Sequence, residues 1–330
     1  MPSSAEAATD GRTAATSPAA GTEPARVLAS FGRHYWVRTR SAEERLAVTR
    51  GKRTNLCVGD EVEIRPLGAG QAVIESLHAR STLLQRSDMW RTRLIAANVE
   101  RAAVVVAGEP PFSEELLMRM LIAIETSGIE PAIVANKADR PAAREAIAAR
   151  MTVYRALGYP VFEVSALTDA PATRAALAPW LGGRTTLLLG ESGMGKSTLV
   201  NALVPDAQAR TNTISQALGT GRHTTTFSRL FDVPADTAPD ARIVDSPGFQ
   251  TYGLNHLSSS QREHAMREFV ALIGRCRFND CLHGDEPDCA IRAAAQRGEI
   301  DRLRYRLFVR IERGEGGRGK GEGEEKTSPA

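Results

Sequence analysis

Apolar residues fall into two regimes along the chain. Between Arg26 and about Leu77 they come in short runs: Val27-Leu28-Ala29, Tyr35-Trp36-Val37, Leu46-Ala47-Val48, Val62-Glu63-Ile64 and Ala72-Val73-Ile74. Gly32, the Arg50-Gly51-Lys52-Arg53 turn, Gly59-Asp60 and Gly68-Ala69-Gly70 separate them. Short runs punctuated by glycine predict strands, and five in about fifty residues predict a small β-barrel. An OB-fold fits, and an SH3-like barrel would give the same pattern. Tyr35 and Trp36 can stack on bases, although aromatics in such a strand read first as core.

After a connection from Leu94 to Arg101 the regime changes. Ala103-Val104-Val105-Val106-Ala107 and Pro131-Ala132-Ile133-Val134-Ala135 are continuous apolar runs, as expected of strands buried on both faces. Between them Leu116, Leu117, Met120, Leu121 and Ile124 recur at helical spacing behind Ser113 and Glu115, which open a helix. A further helix leads to Pro160-Val161-Phe162-Glu163-Val164, and Leu187-Leu188-Leu189 and Arg242-Ile243-Val244 follow. The alternation predicts an α/β unit whose ligand sites lie beyond the strand C-termini.

That is where the chemistry sits. Gly190-Glu191-Ser192-Gly193-Met194-Gly195-Lys196-Ser197-Thr198 joins an apolar strand to the helix Leu199-Val200-Asn201-Ala202-Leu203. This G-x-x-x-x-G-K-S pattern in that context is a phosphate cradle, with backbone N–H groups turned toward an anion at a helix N-terminus. Lys196 reaches the β- and γ-phosphates and Ser197 puts its hydroxyl on Mg²⁺. Asn136-Lys137-Ala138-Asp139 ends a buried strand. The Asp139 carboxylate can accept from guanine N1–H and the N2 amino group together, a pair adenine does not offer, so GTP is favoured over ATP. Ser165-Ala166 supports the base through backbone N–H groups. Asp245-Ser246-Pro247-Gly248 follows the last strand; Asp245 holds a Mg²⁺-bound water and the Gly248 N–H meets the γ-phosphate. In the loop Gln216 to Thr226, Thr225 is the candidate to coordinate Mg²⁺ and sense the γ-phosphate, with Thr224 and Thr226 close behind.

Past Tyr252-Gly253-Leu254, a helix from about Ser260 to Ile273 leads to Cys276, Cys281, His283 and Cys289. The spacing C-x₄-C-x-H-x₅-C supplies three thiolates and one imidazole, a complete tetrahedral set for one structural Zn²⁺. Cys57 stands alone as a small buried apolar residue, and His34, His78, His256 and His264 show no ligand spacing. A helix from Cys289 to about Arg313 carries Ile300, Leu303, Leu307 and Ile311 on one face and seven arginines, several expected to be free for phosphates.

Composition changes the picture little. The 330 residues allow two or three domains, and 42% apolar with 25% charged residues is ordinary for a globular protein. No run approaches the eighteen or so apolar residues of a membrane span, and Met1 to about Pro24 lacks the basic start and apolar middle of a secretory signal. The expectation is a cytoplasmic protein with two disordered tails. Net charge is only +3, but arginines cluster near Arg50, around Trp90 (Arg80, Arg86, Arg91, Arg93) and in the last helix, which points to a polyanionic partner.

The motifs resemble those of the translation-factor class of GTPases in a permuted order, with Asn136-Asp139 and Ser165-Ala166 ahead of the cradle. With a barrel before and a Cys/His cluster after, the chain resembles the ribosome small-subunit-dependent GTPase A family from about residue 25 to 312. The resemblance implies a circularly permuted P-loop GTPase. It implies GTP hydrolysis stimulated by the small ribosomal subunit, a role in late maturation of that subunit, contact with its 16S rRNA, and release of ribosome-binding factor A. The expected division is a tail (1–24), an OB-fold barrel (25–93), the permuted GTPase domain (94–252), an α-helical zinc domain (253–313) and a second tail (314–330), as a monomer without membrane or DNA partners. Phe249 follows Gly248 where many GTPases carry a water-orienting glutamine, so intrinsic hydrolysis should be slow, on the order of 10⁻³ per second or below. His223 is the candidate to replace it in cis; shaping the loop or contacting RNA are its other readings. Because Asp245-Gly248 lies just upstream of the zinc domain, movement there on loss of the γ-phosphate can be passed to that domain.

Overall fold

A computed structural model describes residues 21–51, 55–87, 91–207 and 227–314. Five strands come first: β1 (Glu23–Phe31), β2 (His34–Thr39), β3 (Glu44–Thr49), β4 (Glu61–Gly68) and β5 (Gln71–Leu77). β1 pairs with both β2 and β4, β3 pairs with β5 in parallel, and β5 pairs with β4, so the order 1-2-3-5-4-1 closes on itself. That is the strand order of an OB-fold, and it decides between the two barrels the sequence allowed. Each predicted run lies within one strand. Val27, Tyr35, Val37, Ala47, Val62 and Ile64 fill the interior. Trp36 faces the other side, its indole N–H donating to Glu44 Oε2 at 2.6 Å.

Part of the stretch expected to be a connection, Leu94 to Ala97, lies in the second strand of a hairpin that begins within the range expected for the barrel. β6 (Leu83–Ser87) and β7 (Thr92–Ala97) form a separate two-stranded sheet before β8 (Arg101–Val106) begins. β8, β9 (Glu130–Ala135), β10 (Val161–Glu163), β11 (Thr185–Gly190) and β13 (Arg242–Asp245) are parallel in the order 10-9-8-11-13, and β12 (Arg229–Asp232) joins antiparallel to β13. The ladder from β12 to β1 at Ala29–Arg229 ties this sheet to the barrel.

The continuous apolar runs are explained by two cores. On one face Val104, Val106, Ile133, Leu187 and Leu189 meet α1 (Glu114–Thr126) and α2 (Pro141–Ala156). On the other, Val105, Val134, Leu188 and Ile243 meet α3 (Ala170–Leu181) and α4 (Lys196–Leu203). Alternate residues of each strand thus feed opposite layers, each buried aliphatic side chain contributing about 1.5–3 kcal/mol. As expected, Ser113 caps α1, its hydroxyl accepting from Leu116 N.

The C-terminal part packs on the α1/α2 face and departs from the predicted helices twice. The first helix, α5 (Ser259–His264), ends early, because the chain turns to drop Met266 and Phe269 into the core, where Phe269 meets Phe308 edge-on at 4.9 Å. Tertiary burial there overrides local helical preference. The arginine-loaded stretch is two helices, α6 (Ala290–Arg297) and α7 (Arg302–Glu312). Gly298 ends α6 at φ 80°, the left-handed cap that glycine favours, and Asp301 opens α7 by accepting from Leu303 and Arg304 N–H.

Candidate functional site

The cradle is held open by backbone conformation. Gly195 caps α4 at φ 90°, and a Cβ there would sit 2.3 Å from Asn136 Nδ2. Lys196 is buried; its ammonium donates to the carbonyls of Gly190 at 2.9 Å and Glu191 at 2.7 Å. Burial lowers its pKa to about 8, against the favourable charges of Asp245 and Glu191. Ser192, Gly193 and Ser197 are exposed, Thr198 is half-buried and Met194 is buried beneath the loop. The Glu191 carboxylate accepts from Ser113 N–H, which anchors the cradle to the start of α1.

The other motifs converge on the same end of the sheet. Asn136 Nδ2 donates to Met194 O at 3.0 Å, while its Oδ1 accepts from Ala166 N at 3.1 Å. One amide therefore ties the cradle to Ser165-Ala166. Lys137 donates from Nζ to Gly193 O at 2.9 Å and to Glu109 O at 2.8 Å, and Ala138 N donates to Val164 O at 3.1 Å. Asp139 is exposed and Ser165 half-buried at the rim. A Cβ on Gly248 would be 2.8 Å from Ser192 Cα, and Phe249 N donates to Gly190 O at 3.1 Å. Phe249 itself is buried, edge-on to Tyr252 at 5.5 Å and under the Arg86 guanidinium at 5.3 Å. His223 and Thr225, with Thr224 and Thr226, lie outside the described residues.

Asp245 carries a desolvation cost. It is buried at the end of β13, and its Oδ1 has no hydrogen-bond partner among the described residues. Burial raises its pKa to about 6, opposed first by Lys196 and then by Arg229. A buried carboxylate oxygen left open beside a phosphate cradle fits a Mg²⁺ ion arriving with a nucleotide.

The four predicted metal donors do come together. The ligand atoms of Cys276, Cys281, His283 and Cys289 lie within 4.8 Å of one another, so they could hold a metal ion. Burial among the other thiols pushes the Cys281 thiol up to about 12 and raises that of Cys289. A cation bound there would displace those protons and take the sulfurs as thiolates. His283 offers Nδ1 to the cluster, 3.6 Å from Cys276 Sγ and 3.5 Å from Cys289 Sγ. Its Nε2 meets Glu263 Oε1 at 3.0 Å, a carboxylate–histidine pair of the kind that fixes a ligating ring. Glu263 lies 20 residues upstream and carried no sequence signal.

The arginines need a correction. Arg304, expected on a free basic face, is 1% exposed; it pairs with Glu268 and lies over the Tyr154 ring at 5.1 Å. Removing one partner of such a pair costs about 3–5 kcal/mol. Arg310 pairs with Glu115, Arg313 with Asp285, and Arg297 with Glu299. Arg150 bridges Glu114 and Asp301, and Arg267 pairs with Glu125 and stacks on Tyr159 at 3.9 Å. Much of the positive charge thus fastens the C-terminal part to α1 and α2. Arg306 alone of the α7 arginines is exposed without a polar partner among the described residues. In the Trp90 cluster, Arg80 pairs with the fully buried Asp60; Trp90 itself, Lys52 and Arg53 lie outside the described residues.

Comparison with known proteins fits this geometry. A family model described as RsgA GTPase matches residues 77–255. Proteins named small ribosomal subunit biogenesis GTPase RsgA are similar throughout: that of Paraburkholderia phymatum is 46% identical over 286 residues, covering 86% of this chain and 89% of that protein. That of Bordetella pertussis is 47% identical over 285 residues, covering 86% and 94%. Among solved structures, YjeQ from Thermotoga maritima superposes with a TM-score of 0.65 at 28% identity, covering 90% of this chain and 100% of that one. YloQ, described as a circularly permuted GTPase, shares the fold with a TM-score of 0.61 at 22% identity, covering 90% of this chain and 97% of that one. With its barrel, permuted sheet and cradle in place, the chain belongs to the RsgA GTPase family.

Proposed function

We propose that this protein hydrolyses GTP to GDP and phosphate, is stimulated by the small ribosomal subunit, and acts in the late maturation of that subunit in the cytoplasm. The observation that carries the reading is the Asn136 amide, which bonds to both the cradle and Ala166 and so gathers phosphate and base recognition around one pocket. Family membership and the printed names of the relatives support the ribosomal partner.

In this reading Gly190 to Thr198 cradles the phosphates, and Lys196 trades its two carbonyl bonds for the β- and γ-phosphates. Asp139 recognises guanine; it is exposed, so the base itself supplies the desolvation that makes the carboxylate selective. Asn136, Lys137, Ala138, Ser165 and Ala166 hold the base loop. Ser197 and Thr225 hold Mg²⁺, Asp245 holds its water shell, and Gly248 N–H meets the γ-phosphate. Bound Mg²⁺ neutralises charge that develops between the β- and γ-phosphates. A water attacks the γ-phosphorus and the bond to the β-phosphate oxygen breaks. The buried Phe249 cannot orient that water, so His223 or a group of the ribosome does.

Cys276, Cys281, His283 and Cys289 hold one structural Zn²⁺. The barrel and the C-terminal domain grip 16S rRNA, and hydrolysis drives release of an assembly factor such as ribosome-binding factor A. The active unit is a monomer divided at about residues 24, 93, 252 and 313. The test is GTP hydrolysis by the purified protein with small subunits, with large subunits and with ATP. Stimulation by the small subunit alone is expected, and Asp139→Asn should move preference from GTP toward xanthosine triphosphate. Tight GTP binding with no stimulated turnover would overturn the reading.

A further inference from the structure

Arg229 is a buried cation that no motif marks. It is 3% exposed and opens β12, immediately opposite Asp245 in the antiparallel β12–β13 ladder. Directly opposed residues of such a ladder share a face, with Cβ atoms about 4.5–5.5 Å apart. That face is the one covered by α4, since Phe231 and Ile243, each two residues away along its strand, belong to the same core as Leu199 and Leu203. The side chain also rests on a pair of aromatic rings. Its guanidinium lies 4.2 Å from the Phe227 ring centroid and 5.8 Å from that of Phe31, and the two rings meet edge-on at 4.1 Å. Phe31 ends β1 of the barrel, and Ala29 of that strand pairs with Arg229 across the junction of barrel and sheet.

Two cations, Lys196 and Arg229, therefore face the one carboxylate, and only Lys196 has a role on the phosphates. When Lys196 turns to a nucleotide, its charge is shared with the phosphates, and Arg229 is left as the charge that balances Asp245. A buried carboxylate without a compensating cation is costly enough to move or to neutralise.

We propose that Arg229 is a positioning residue for the nucleotide's Mg²⁺ shell: held against the Phe227 ring, which Phe31 backs edge-on, it balances the buried Asp245 carboxylate and keeps it beside the cradle. The proposal rests on the GTP-binding reading above. It also makes the barrel part of the nucleotide site, because Phe31 backs the ring on which Arg229 rests.

The test is equilibrium binding of a fluorescent, non-hydrolysable GTP analogue to the full chain, in Mg²⁺ and in EDTA, with circular dichroism as the folding control. Wild type should bind more tightly in Mg²⁺. Arg229→Met, which keeps an unbranched apolar stem against the rings, should lose roughly tenfold of that gain, with binding in EDTA within about threefold of wild type. Arg229→Lys should retain most of the gain. An undiminished Mg²⁺ gain in Arg229→Met would overturn the proposal, as would a lysine variant as impaired as the methionine one. If Arg229→Met does not fold, Phe31→Leu decides: loosening the support of the Phe227 ring should cut the gain by about threefold, and no change overturns the proposal. A wild type that binds no GTP would instead break the functional reading itself.

Discussion

The phosphate cradle and the Cys/His cluster are both shaped to suit an ion, yet they are built in opposite ways. The cradle draws on four loops spread from Asn136 to Gly248, each following a strand of the parallel sheet, and its bonds run between protein groups: Lys196 to two carbonyls, Asn136 to two backbone atoms. The cluster comes from one stretch, Cys276 to Cys289, which contains no helix or strand, and its donors face chiefly one another. A site framed by a sheet keeps its shape before the ligand arrives. One framed by its ligands has the metal as its own core.

Metal removal should separate the two most sharply. Stripping the metal with a strong chelator, or Cys289→Ser, should melt residues 275–289 and loosen the Phe269–Phe308 contact, since structural zinc sites in small domains contribute on the order of 10 kcal/mol. Hydrogen exchange should show the loss confined to the C-terminal part while GTP affinity changes less than about threefold. An unchanged exchange pattern would mean the cluster is not a structural metal site. Gly195→Ala is the reciprocal change. The strained φ and the collision with Asn136 should cost about 2–3 kcal/mol of nucleotide affinity, read by titration as a weakening of about a hundredfold, with metal content intact.

A rise in pH should push the sites in opposite directions. Lys196 is depressed to about 8 in the free protein and must be protonated against phosphates. Above pH 8, binding therefore takes up a proton, and affinity should fall by up to about tenfold per pH unit. Metal binding releases thiol protons, so retention against a competing chelator should improve between pH 7 and 9. Both trends in the same direction would contradict the comparison. The smallest effect is Gly298→Ala, which strains the α6 cap at φ 80°. It should lower stability by about 1 kcal/mol, seen as a melting shift of a few degrees, and leave both ligand affinities unchanged.

How much of this was legible follows from how each feature is encoded. Ser113, the cradle glycines and the Cys/His spacing act through neighbours in the chain, so residue type and interval were enough. The break between α6 and α7 was missed, although glycine at 298 and aspartate at 301 are ordinary stop and start signals, because the apolar stripe of Ile300, Leu303, Leu307 and Ile311 reads as one helix. The early end of α5 was not legible, because Met266 and Phe269 leave helical register for a core that only folding creates. The β6–β7 hairpin holds the chain after Gly248, Tyr252 OH donating to Gln85 O at 3.1 Å and Ser87 N to Gly253 O at 3.0 Å. Those partners are more than 160 residues apart.

The sequence by itself determined the two kinds of strand, the permuted order of the nucleotide motifs and the donor set for a metal. Local backbone preference and donor chemistry carry that information over a few residues. Only the tertiary structure decided which barrel the five strands close into, that Asn136 joins the cradle to Ala166, that Glu263 backs His283, and that Arg229, which no motif marks, joins Lys196 in facing Asp245. It also assigned most of the arginines of the last helix to ion pairs, because a charge is free or spent according to what packs beside it.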